Sequence, residues 1–302
     1  MIQSPELDLD FEALLGFLKR ERGCDFTNYK RSSLMRRFNY RMQQLHINSY
    51  RDYLYYLQQE LEEWRLLQEA VLINFTSFFR DRNAWQTLAQ DVIPKIVNSK
   101  RSRESIRVWS AGCSTGQELY SLVMTFAEVL GIEACLERVR WYATDRDLDA
   151  LQQARQAIYA EEDVAEIPLD WLEKYFEKID RGYVFHSALR RRIVFGHHNL
   201  TEDAPMSKID LLVCRNVLIY LDVETQAAIA VRFHFALQQN GFLFLGQSEK
   251  LNLSNQTFIS VNSRERIYQK GAKLGLEDHL RILRQSHPSR SSDRPPFPKA
   301  TA

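Results

Sequence analysis

The 302-residue sequence predicts an α/β protein, with an all-helical N-terminal domain before a doubly wound, mostly parallel, Rossmann-like sheet and a small antiparallel β-subdomain. Three observations predict this class. No glycine occurs between Cys24 and Ser110, which favours helices in the first third of the chain. Residues 106–130 have the pattern of a buried strand, a turn of small residues and an amphipathic helix. Strand and helix patterns then alternate as far as Gly246, as is typical of parallel sheets.

Composition narrows the class of protein. Hydrophobic residues make up 45% of the chain and charged residues 26%, which is ordinary for a soluble globular protein. The net charge of +1 gives no bulk attraction to nucleic acid or to membranes. The four cysteines form no C-x-x-C pair, which argues against a zinc site or a disulfide framework. No signal peptide or membrane-spanning apolar run is evident, so we expect a cytoplasmic protein without membrane insertion.

Residues 1–90 are expected to form the helical domain, with four helices of amphipathic pattern. The first ends near Gly23, and the third and fourth span roughly residues 49–59 and 60–74. The apolar stripes of the first two helices are formed by Phe11, Leu14, Leu15, Leu18, Leu34, Phe38 and Met42.

The second helix is basic. Arg36, Arg37 and Arg41 follow one another closely, and Arg37 and Arg41 share a face because they are four residues apart. This face is either a docking surface for an acidic partner or an ordinary solvated surface. The second reading is the more common one for charge runs on helices.

A phenylalanine-rich segment, residues 74–81, follows the fourth helix and carries Asn74, Thr76 and Arg80. By itself the segment is also consistent with a plain helix start capped by Thr76. A short basic run at residues 100–103 then precedes the first strand. We interpret residues 91–104 as the linker between the two domains.

The turn after the first strand is the strongest single candidate for a binding site. Residues 112–116 carry almost no side-chain bulk, so the backbone at Gly112 can approach a ligand closely. A strand that leads through such a turn into a helix N-terminus often cradles nucleotide-like ligands. The G-x-G-x-x-G fingerprint and the Gly-Lys-Ser/Thr ending are both missing, which disfavours a dinucleotide or a triphosphate. Many turns of this kind bind nothing.

Asp145 ends the second predicted strand, residues 139–145. A carboxylate in this position can accept hydrogen bonds from both ribose hydroxyls of an adenosine. Alternatively, Asp145 or Asp147 caps the helix that begins at residue 148. The two roles are compatible if one acid binds a ligand and the other caps the helix.

The remaining strands define a domain over residues 105–275, with a small β insertion at about 175–195. Polar residues after the fourth strand, Arg215, Asn216 and Tyr220, are placed where ligands bind in such sheets. The paired His197 and His198 have no third ligand at a familiar spacing, so no metal is expected. Residues 276–302 are rich in Ser, Pro and Arg and are expected to be disordered. Parallel strands are predicted at 192–195, 209–214 and 242–246, and an antiparallel pair at 258–261 and 266–269.

Six motifs, in order along residues 10–270, resemble the chemotaxis receptor glutamate O-methyltransferases, the CheR-type enzymes that use S-adenosylmethionine. Together they are far more specific than any one of them. They are Asn74-Phe75-Thr76-Ser77-Phe78-Phe79-Arg80-Asp81, Ser110-Ala111-Gly112-Cys113-Ser114-Thr115-Gly116-Gln117-Glu118, Ala143-Thr144-Asp145, Asn199-Leu200, Cys214-Arg215-Asn216-Val217-Leu218-Ile219-Tyr220 and Gly246-Gln247-Ser248-Glu249.

The resemblance implies roles for these residues. Glu118 would face the methionine amino group, Asp145 the ribose, and Arg80 the methionine carboxylate. Arg215 and Asn216 would line the methyl-donor pocket. On chemical grounds, the Arg215 cation can fix the substrate carboxylate during catalysis, and Tyr220 can donate a hydrogen bond to it. The full set expected to bind the cofactor, or its product S-adenosylhomocysteine, is Asn74, Thr76, Arg80, Gly112, Glu118, Asp145, Asn199, Leu200, Arg215 and Asn216.

The resemblance also implies a partner. Arg36, Arg37 and Arg41 become a candidate docking face for the acidic cytoplasmic helices of chemoreceptors, bound by a monomeric enzyme. Two rival readings stay open, a nucleic-acid methyltransferase and a non-catalytic cofactor-binding scaffold. The first is disfavoured because Arg215-Asn216-Val217-Leu218 stands where base-amino methylases carry an Asn/Asp-Pro-Pro-aromatic turn. The compact insertion departs from those family members that bind a receptor's C-terminal peptide through a longer loop.

Overall fold

The computed structural model describes residues 8–72, 75–251 and 257–271. A π-helix at Leu88–Val92 and a 3₁₀ helix at Leu218–Tyr220 accompany the regular elements. The α-helices are α1 (Leu9–Arg22), α2 (Arg31–Gln44), α3 (Tyr50–Gln59), α4 (Leu61–Val71), α5 (Arg82–Thr87), α6 (Ile93–Asn98), α7 (Gln117–Leu130), α8 (Ile132–Arg138), α9 (Leu148–Gln156), α10 (Glu161–Val164), α11 (Leu169–Tyr175), α12 (Ser187–Arg190) and α13 (Val223–Ala236). The strands are β1 (Ile106–Ala111), β2 (Val139–Asp145), β3 (Ile158–Tyr159), β4 (Phe176–Ile179), β5 (Gly182–Phe185), β6 (Ile193–His197), β7 (Ile209–Cys214), β8 (Leu237–Leu245), β9 (Phe258–Asn262) and β10 (Ile267–Lys270).

The main sheet has seven strands in the order β6-β2-β1-β7-β8-β10-β9. The five strands from β6 to β8 are parallel, and β10 pairs antiparallel with both β8 and β9. β7 is buried along its whole length, as its continuous apolar run predicts for a strand covered on both faces. The strand order reverses between β1 and β7, which creates a crevice at the carboxyl edge of the sheet. The predicted fold class is confirmed.

The helical domain is built around an apolar core of its own, in which Phe11, Phe38 and Tyr53 are fully buried. Asp8 caps α1 through the backbone N–H groups of Asp10 and Phe11. Gly23 ends α1 in the left-handed conformation, with φ of 65°. The four helices predicted from the apolar stripes are all present.

The predicted linker over residues 91–104 is wrong in its first half, because α6 lies within it. Val92, Ile93 and Ile96 are buried in the same apolar core as Val108 of the sheet. Burying these side chains stabilises α6 against the sheet, whereas a linker would leave them in water. The basic run at residues 100–103 indicates a linker, whereas the apolar residues before it have the spacing of a helix that packs on the sheet.

The small β-subdomain is a separate three-stranded antiparallel sheet in the order β3-β5-β4. Two of its strands fall inside the predicted insertion at about 175–195, and β3 lies before it. Residues 193–197 form β6, which pairs with β2 in the main sheet. The tail predicted at residues 276–302 lies outside the described residues.

A strand-like contact joins the helical domain to the segment after β7. Tyr29 and Leu221 form an isolated antiparallel bridge. The Lys30 backbone N–H donates to the Tyr220 carbonyl at 2.9 Å, and the Lys30 ammonium donates to the Ile219 carbonyl at 2.7 Å. The helical domain therefore holds the backbone that carries Tyr220.

Within the described residues, no single helix has both the length and the apolar character needed to cross a membrane. α7 and α8 meet the length and hydropathy criteria only when they are counted together, and a bend of 114° separates them.

Candidate active site

A deep cleft opens at the carboxyl edge of the main sheet, beside the point where the strand order reverses. The space between its walls, counted out to the open solvent, is about 1050 Å³. Asn74, one of the eleven residues predicted for cofactor binding or catalysis, lies outside the described residues. The structure brings the other ten to this cleft: Thr76, Arg80, Gly112, Glu118, Asp145, Asn199, Leu200, Arg215, Asn216 and Tyr220.

Gly112 begins the turn at the floor of the cleft. Its φ is 77°, and a Cβ atom added there would lie 2.4 Å from Cγ2 of Val217. Any other residue would therefore strain the backbone and collide with the loop after β7. The N–H groups of Gly112 and Cys113 both donate to the Thr144 carbonyl, at 2.7 and 3.0 Å. The turn is thus tied to the end of β2.

Asp145 is held by backbone donors on both sides. Its Oδ2 accepts from the Ser114 N–H at 2.7 Å, and its Oδ1 accepts from the Asp147 N–H at 2.9 Å. Burial raises the pKa of Asp145, and the N–H donors oppose that rise. Asp147 caps α9 instead, so the two predicted roles fall to different acids. Because each carboxylate oxygen keeps a second lone pair, Asp145 can still accept from a diol.

Glu118 lies in the first turn of α7 and is buried. Its carboxylate accepts a hydrogen bond from the Ser110 hydroxyl at 3.3 Å and lies 3.5 Å from Nη1 of Arg215. Burial raises the pKa of Glu118 to about 7, and the Arg215 charge limits the rise. A carboxylate in this state is well suited to pair with a cationic group of a ligand.

Arg80 is carried by a backbone under strain. Its neighbours Phe79 and Asp81 have φ values of 49° and 64°, a conformation uncommon for residues other than glycine. The Arg80 guanidinium lies 5.8 Å from the centre of the Phe75 ring. It forms no ion pair with any residue in the described part of the chain. Arg80 therefore supplies a cation that an anionic ligand group can reach.

Arg215 does not have the freedom that its predicted catalytic role requires. The side chain is 2% exposed, and Nη2 lies 2.5 Å from Oδ2 of Asp81. Its guanidinium also lies 4.8 Å from the Phe244 ring centre. Nη1 and Nη2 face carboxylates, and Nε has no hydrogen-bond partner within the described residues but is buried, so a substrate carboxylate has poor access to this guanidinium. The structure places Arg215 as an anchor between Asp81 and Glu118. Its contact with a substrate carboxylate stays a prediction, which this geometry does not favour.

Asn199 and Leu200 form one wall of the cleft, after β6. The Asn199 side-chain oxygen accepts from the Thr201 N–H at 3.1 Å, and its backbone N–H donates to Asp203 at 2.7 Å. The Leu200 carbonyl accepts from the Arg232 guanidinium at 2.9 Å. This wall is therefore held by hydrogen bonds within the protein.

Tyr220 lies between the cleft and the helical domain, with Arg37 behind it. The Arg37 guanidinium lies 4.9 Å from the Tyr220 ring centre and donates to the Ala70 and Val71 carbonyls, each at 3.2 Å. Arg37 is only 7% exposed. Its predicted place on a docking surface is therefore wrong, because its charge faces the protein interior.

Arg41 is also unavailable to a docking partner. Its guanidinium makes a bidentate pair with Glu63, at 2.7 and 2.6 Å. The Tyr53 hydroxyl donates to the same carboxylate at 2.6 Å, so this cluster is internal to the helical domain. Arg36 alone of the three predicted arginines is exposed.

Several cleft residues were missed by the sequence analysis. Tyr29 and Arg146 line the cleft, and the Arg146 guanidinium lies 5.7 Å from the Phe26 ring centre in the helical domain. Ser114 and Asp81 support Asp145 and Arg215. Arg146 and Asp81 could have been found as charged neighbours of predicted residues. No sequence signal points to Tyr29, because its place depends on how the two domains pack.

Two family models and several curated proteins match this chain. The model described as "CheR methyltransferase, SAM binding domain" matches residues 74–267, and "CheR methyltransferase, all-alpha domain" matches residues 9–72. Chemotaxis protein methyltransferase 2 of Vibrio cholerae is 33% identical over 259 residues, covering 83% of this chain and 88% of that protein. The Escherichia coli chemotaxis protein methyltransferase is 30% identical over 263 residues, covering 83% and 87%.

A larger relative shares the same region. An uncharacterized 104.1 kDa protein of Rhodobacter capsulatus is 35% identical over 245 residues, which cover 81% of this chain but only 26% of that protein. The two matching family models follow one another along the chain in the same order as the helical domain and the sheet that carries the cleft. The chain therefore belongs to the CheR methyltransferase family of S-adenosylmethionine-dependent enzymes.

Proposed function

We propose that this protein transfers a methyl group from S-adenosylmethionine to glutamate side chains of chemoreceptors, forming methyl esters. The observation that carries the proposal is the cleft itself. It places two carboxylates, Glu118 and Asp145, and one accessible cation, Arg80, around a glycine turn at the carboxyl edge of a parallel sheet. This donor and acceptor set suits a ligand that carries an amino acid at one end and an adenosine at the other.

Different cleft residues would contact different parts of the cofactor. Asp145 would accept hydrogen bonds from the ribose diol, and Asn199 and Leu200 would flank the adenine. Glu118 would pair with the methionine ammonium, and Arg80 with the methionine carboxylate, for which a guanidinium offers bidentate geometry. Thr76, Asn216 and Gly112 would complete the walls, and the fixed positions of these groups suggest that little reorganisation accompanies binding.

The transfer needs little from the protein besides placement. The sulfonium of S-adenosylmethionine makes its methyl group electrophilic. A glutamate carboxylate is already ionised at neutral pH, so a general base is unnecessary. The protein's task is to align the acceptor oxygen and to exclude water. Tyr220 can assist by donating one hydrogen bond to the acceptor carboxylate, without the tight grip of a cation that would lower its nucleophilicity.

Chemoreceptor helices remain the proposed partner, with a narrower docking face than the sequence indicated. Arg36 is exposed on α2, whereas Arg37 and Arg41 are engaged inside the helical domain. An exposed cation chiefly affects the association rate and the orientation of an acidic partner. We also propose that the protein acts in the cytoplasm as a monomer, as expected from the sequence.

The proposal is tested by incubating the protein with methyl-labelled S-adenosylmethionine and membranes that contain chemoreceptors. We expect label in the receptor band, released as methanol by mild base because carboxyl esters hydrolyse there. Receptors whose methylation-site glutamates are replaced by alanine serve as the control and should stay unlabelled. Label that survives base, or that appears in nucleic acid, would overturn the proposal.

Tyr220→Phe is expected to lower kcat by about tenfold while leaving the affinity for S-adenosylhomocysteine within about twofold. The hydroxyl contributes one hydrogen bond to the acceptor, worth about 1–1.5 kcal/mol. The ring, which packs on Arg37, is retained. Turnover on receptor membranes and calorimetry with S-adenosylhomocysteine measure the two quantities. A comparable loss of affinity would show that the hydroxyl serves the cofactor and not the acceptor.

Affinity for S-adenosylhomocysteine is expected to rise with pH around neutrality. The pKa of Glu118 is raised to about 7, so below that pH the protonated carboxyl cannot pair with the ligand ammonium. Affinity should fall by up to about tenfold per unit below pH 7, as linkage requires for one proton. Calorimetry from about pH 5.5 to about pH 8.5 spans this titration.

The control for the pH profile is Glu118→Gln. This variant should bind more weakly at high pH and should lose the dependence around pH 7, because the amide does not titrate. The comparison also separates Glu118 from Asp145, whose pKa is raised by burial as well. The same slope in both proteins would assign the titration to another group.

A further inference from the structure

One buried carboxylate near the cleft has no contact with the cofactor or the acceptor in the proposed reaction. Glu249 is 3% exposed and accepts four backbone hydrogen bonds. Its Oε2 accepts from Gly246 at 2.7 Å and from Asn216 at 3.0 Å. Its Oε1 accepts from Val217 at 2.9 Å and from Leu218 at 2.7 Å. A single carboxylate thus joins the segments that follow two neighbouring strands, β7 and β8.

The negative charge of Glu249 is stabilised by backbone N–H groups. Three successive N–H groups, from Asn216 to Leu218, converge on it at the start of the 3₁₀ helix, in the manner of an anion-binding nest. In the described part of the chain Glu249 forms no ion pair. Removing the carboxylate would leave four donors without their acceptor, and buried polar groups in that state destabilise the local structure.

The segment that Glu249 holds has an unusual backbone conformation. Asn216 has a φ of 61° in the left-handed region, which residues other than glycine adopt infrequently, although asparagine does so more often than most. A Cβ atom on Gly246 would lie 2.9 Å from the Asn216 nitrogen and 3.0 Å from Oε2 of Glu249. Val217 also packs closely against Gly112, so the turn after β1 is held together with the segments after β7 and β8. The conformation of Asn216 is therefore imposed by its surroundings.

We infer that Glu249 is a positioning residue, whose carboxylate fixes the backbone from Asn216 to Leu218 and so orients Asn216 and Tyr220 in the cleft. The inference deepens the proposed function and depends on it for the roles of those two side chains. It explains why a glutamate follows Gly246 by three residues: at that spacing one side chain reaches both the Gly246 N–H and the neighbouring loop.

The test compares Glu249→Gln with Glu265→Gln. Glu265 is also 3% exposed, lies in the turn between β9 and β10, and is not among the residues that line the cleft. Its carboxylate accepts a 3.5 Å hydrogen bond from the Gln247 side chain, whereas the backbone N–H groups of Gly246 and of Asn216 to Leu218 donate to Glu249. Glu249→Gln keeps the size of the side chain but turns an NH₂ group toward two of the N–H donors. Thermal unfolding, calorimetry with S-adenosylhomocysteine, turnover and amide hydrogen exchange are measured on both full-length variants.

For Glu249→Gln we expect about tenfold faster exchange at the amides of Asn216, Val217 and Leu218, which lose good acceptors. Affinity and kcat should each fall by about tenfold, since small misplacements in a site have effects of this size or more. Glu265→Gln should keep affinity and kcat within about twofold, whatever its melting temperature.

A purely structural role would lower the melting temperature of Glu249→Gln and leave affinity and kcat unchanged in the folded protein. That result would overturn the inference, and so would equal losses in Glu265→Gln. If Glu249→Gln does not fold, Gly246→Ala presses on the Asn216 nitrogen while keeping the carboxylate, and the same losses are expected. Exchange and cofactor affinity do not involve the receptor, so they remain decisive if receptor methylation itself fails.

Discussion

Replacing Asp145 by alanine is expected to weaken binding of S-adenosylhomocysteine by about 100-fold to 1,000-fold. Two hydrogen bonds from the ribose hydroxyls to a buried charged acceptor are lost, each worth about 1.5–2 kcal/mol. The Ser114 and Asp147 N–H groups also lose their carboxylate acceptor. The turn at Gly112 would then be less well ordered for the ligand. Calorimetric titration of the folded variant measures the loss.

The matched control is Asp147→Ala. Asp147 is the neighbouring acid that caps α9 through the N–H groups of Asp149 and Ala150, and it is not among the residues that line the cleft. Its removal should cost about 1 kcal/mol of stability and leave the affinity within about twofold. If Asp145→Ala bound the ligand as well as Asp147→Ala does, the ribose would have to lie elsewhere.

The sheet was predictable because its strands carry their own signals. β7 is a short apolar run, and the glycine turn marks where β1 passes into α7. Asp145 could be placed at the carboxyl edge because parallel strands end at a common edge. The final antiparallel pair followed from spacing alone. These inferences use local pattern and one rule of topology, and both are properties of the sequence.

The arginines were less predictable, because a guanidinium on an amphipathic helix has the same local pattern whether it is exposed or paired. Arg37 meets carbonyls at the end of α4, and Arg41 meets Glu63. Arg215 meets Asp81, which is far from it in sequence. Whether each charge is available to a partner was decided by packing between distant segments. Sequence pattern alone could not supply that packing.

The backbone around the cleft is the other feature that the sequence did not reveal. Phe79, Asp81, Ser114 and Asn216 all adopt positive φ, and each lies beside a residue that lines the cleft or lines it itself. Glycine usually marks such positions in a sequence, and none of these four is glycine. The strain is held by tertiary contacts, of which the nest around Glu249 is the clearest example.

Replacing Arg80 by alanine is expected to weaken binding of S-adenosylmethionine by about 10-fold to 150-fold, the equivalent of one charged hydrogen-bonded contact of about 1.5–3 kcal/mol. Arg215 cannot substitute for it, because its guanidinium is paired with Asp81. Arg80→Lys should recover only part of the loss, since an ammonium keeps the charge but cannot bind a carboxylate in bidentate fashion. Calorimetry with all three proteins gives the order of affinities.

Arg82→Ala provides the control from the same segment. Arg82 is exposed and paired with Glu166 on the surface, and it is absent from the lining of the cleft. A surface pair of this kind contributes about 0–1 kcal/mol to stability, and the affinity for the cofactor should not change. Full recovery in Arg80→Lys would mean that Arg80 acts only as a point charge. Equal losses in Arg80→Ala and Arg82→Ala would mean that the methionine carboxylate is bound by another group.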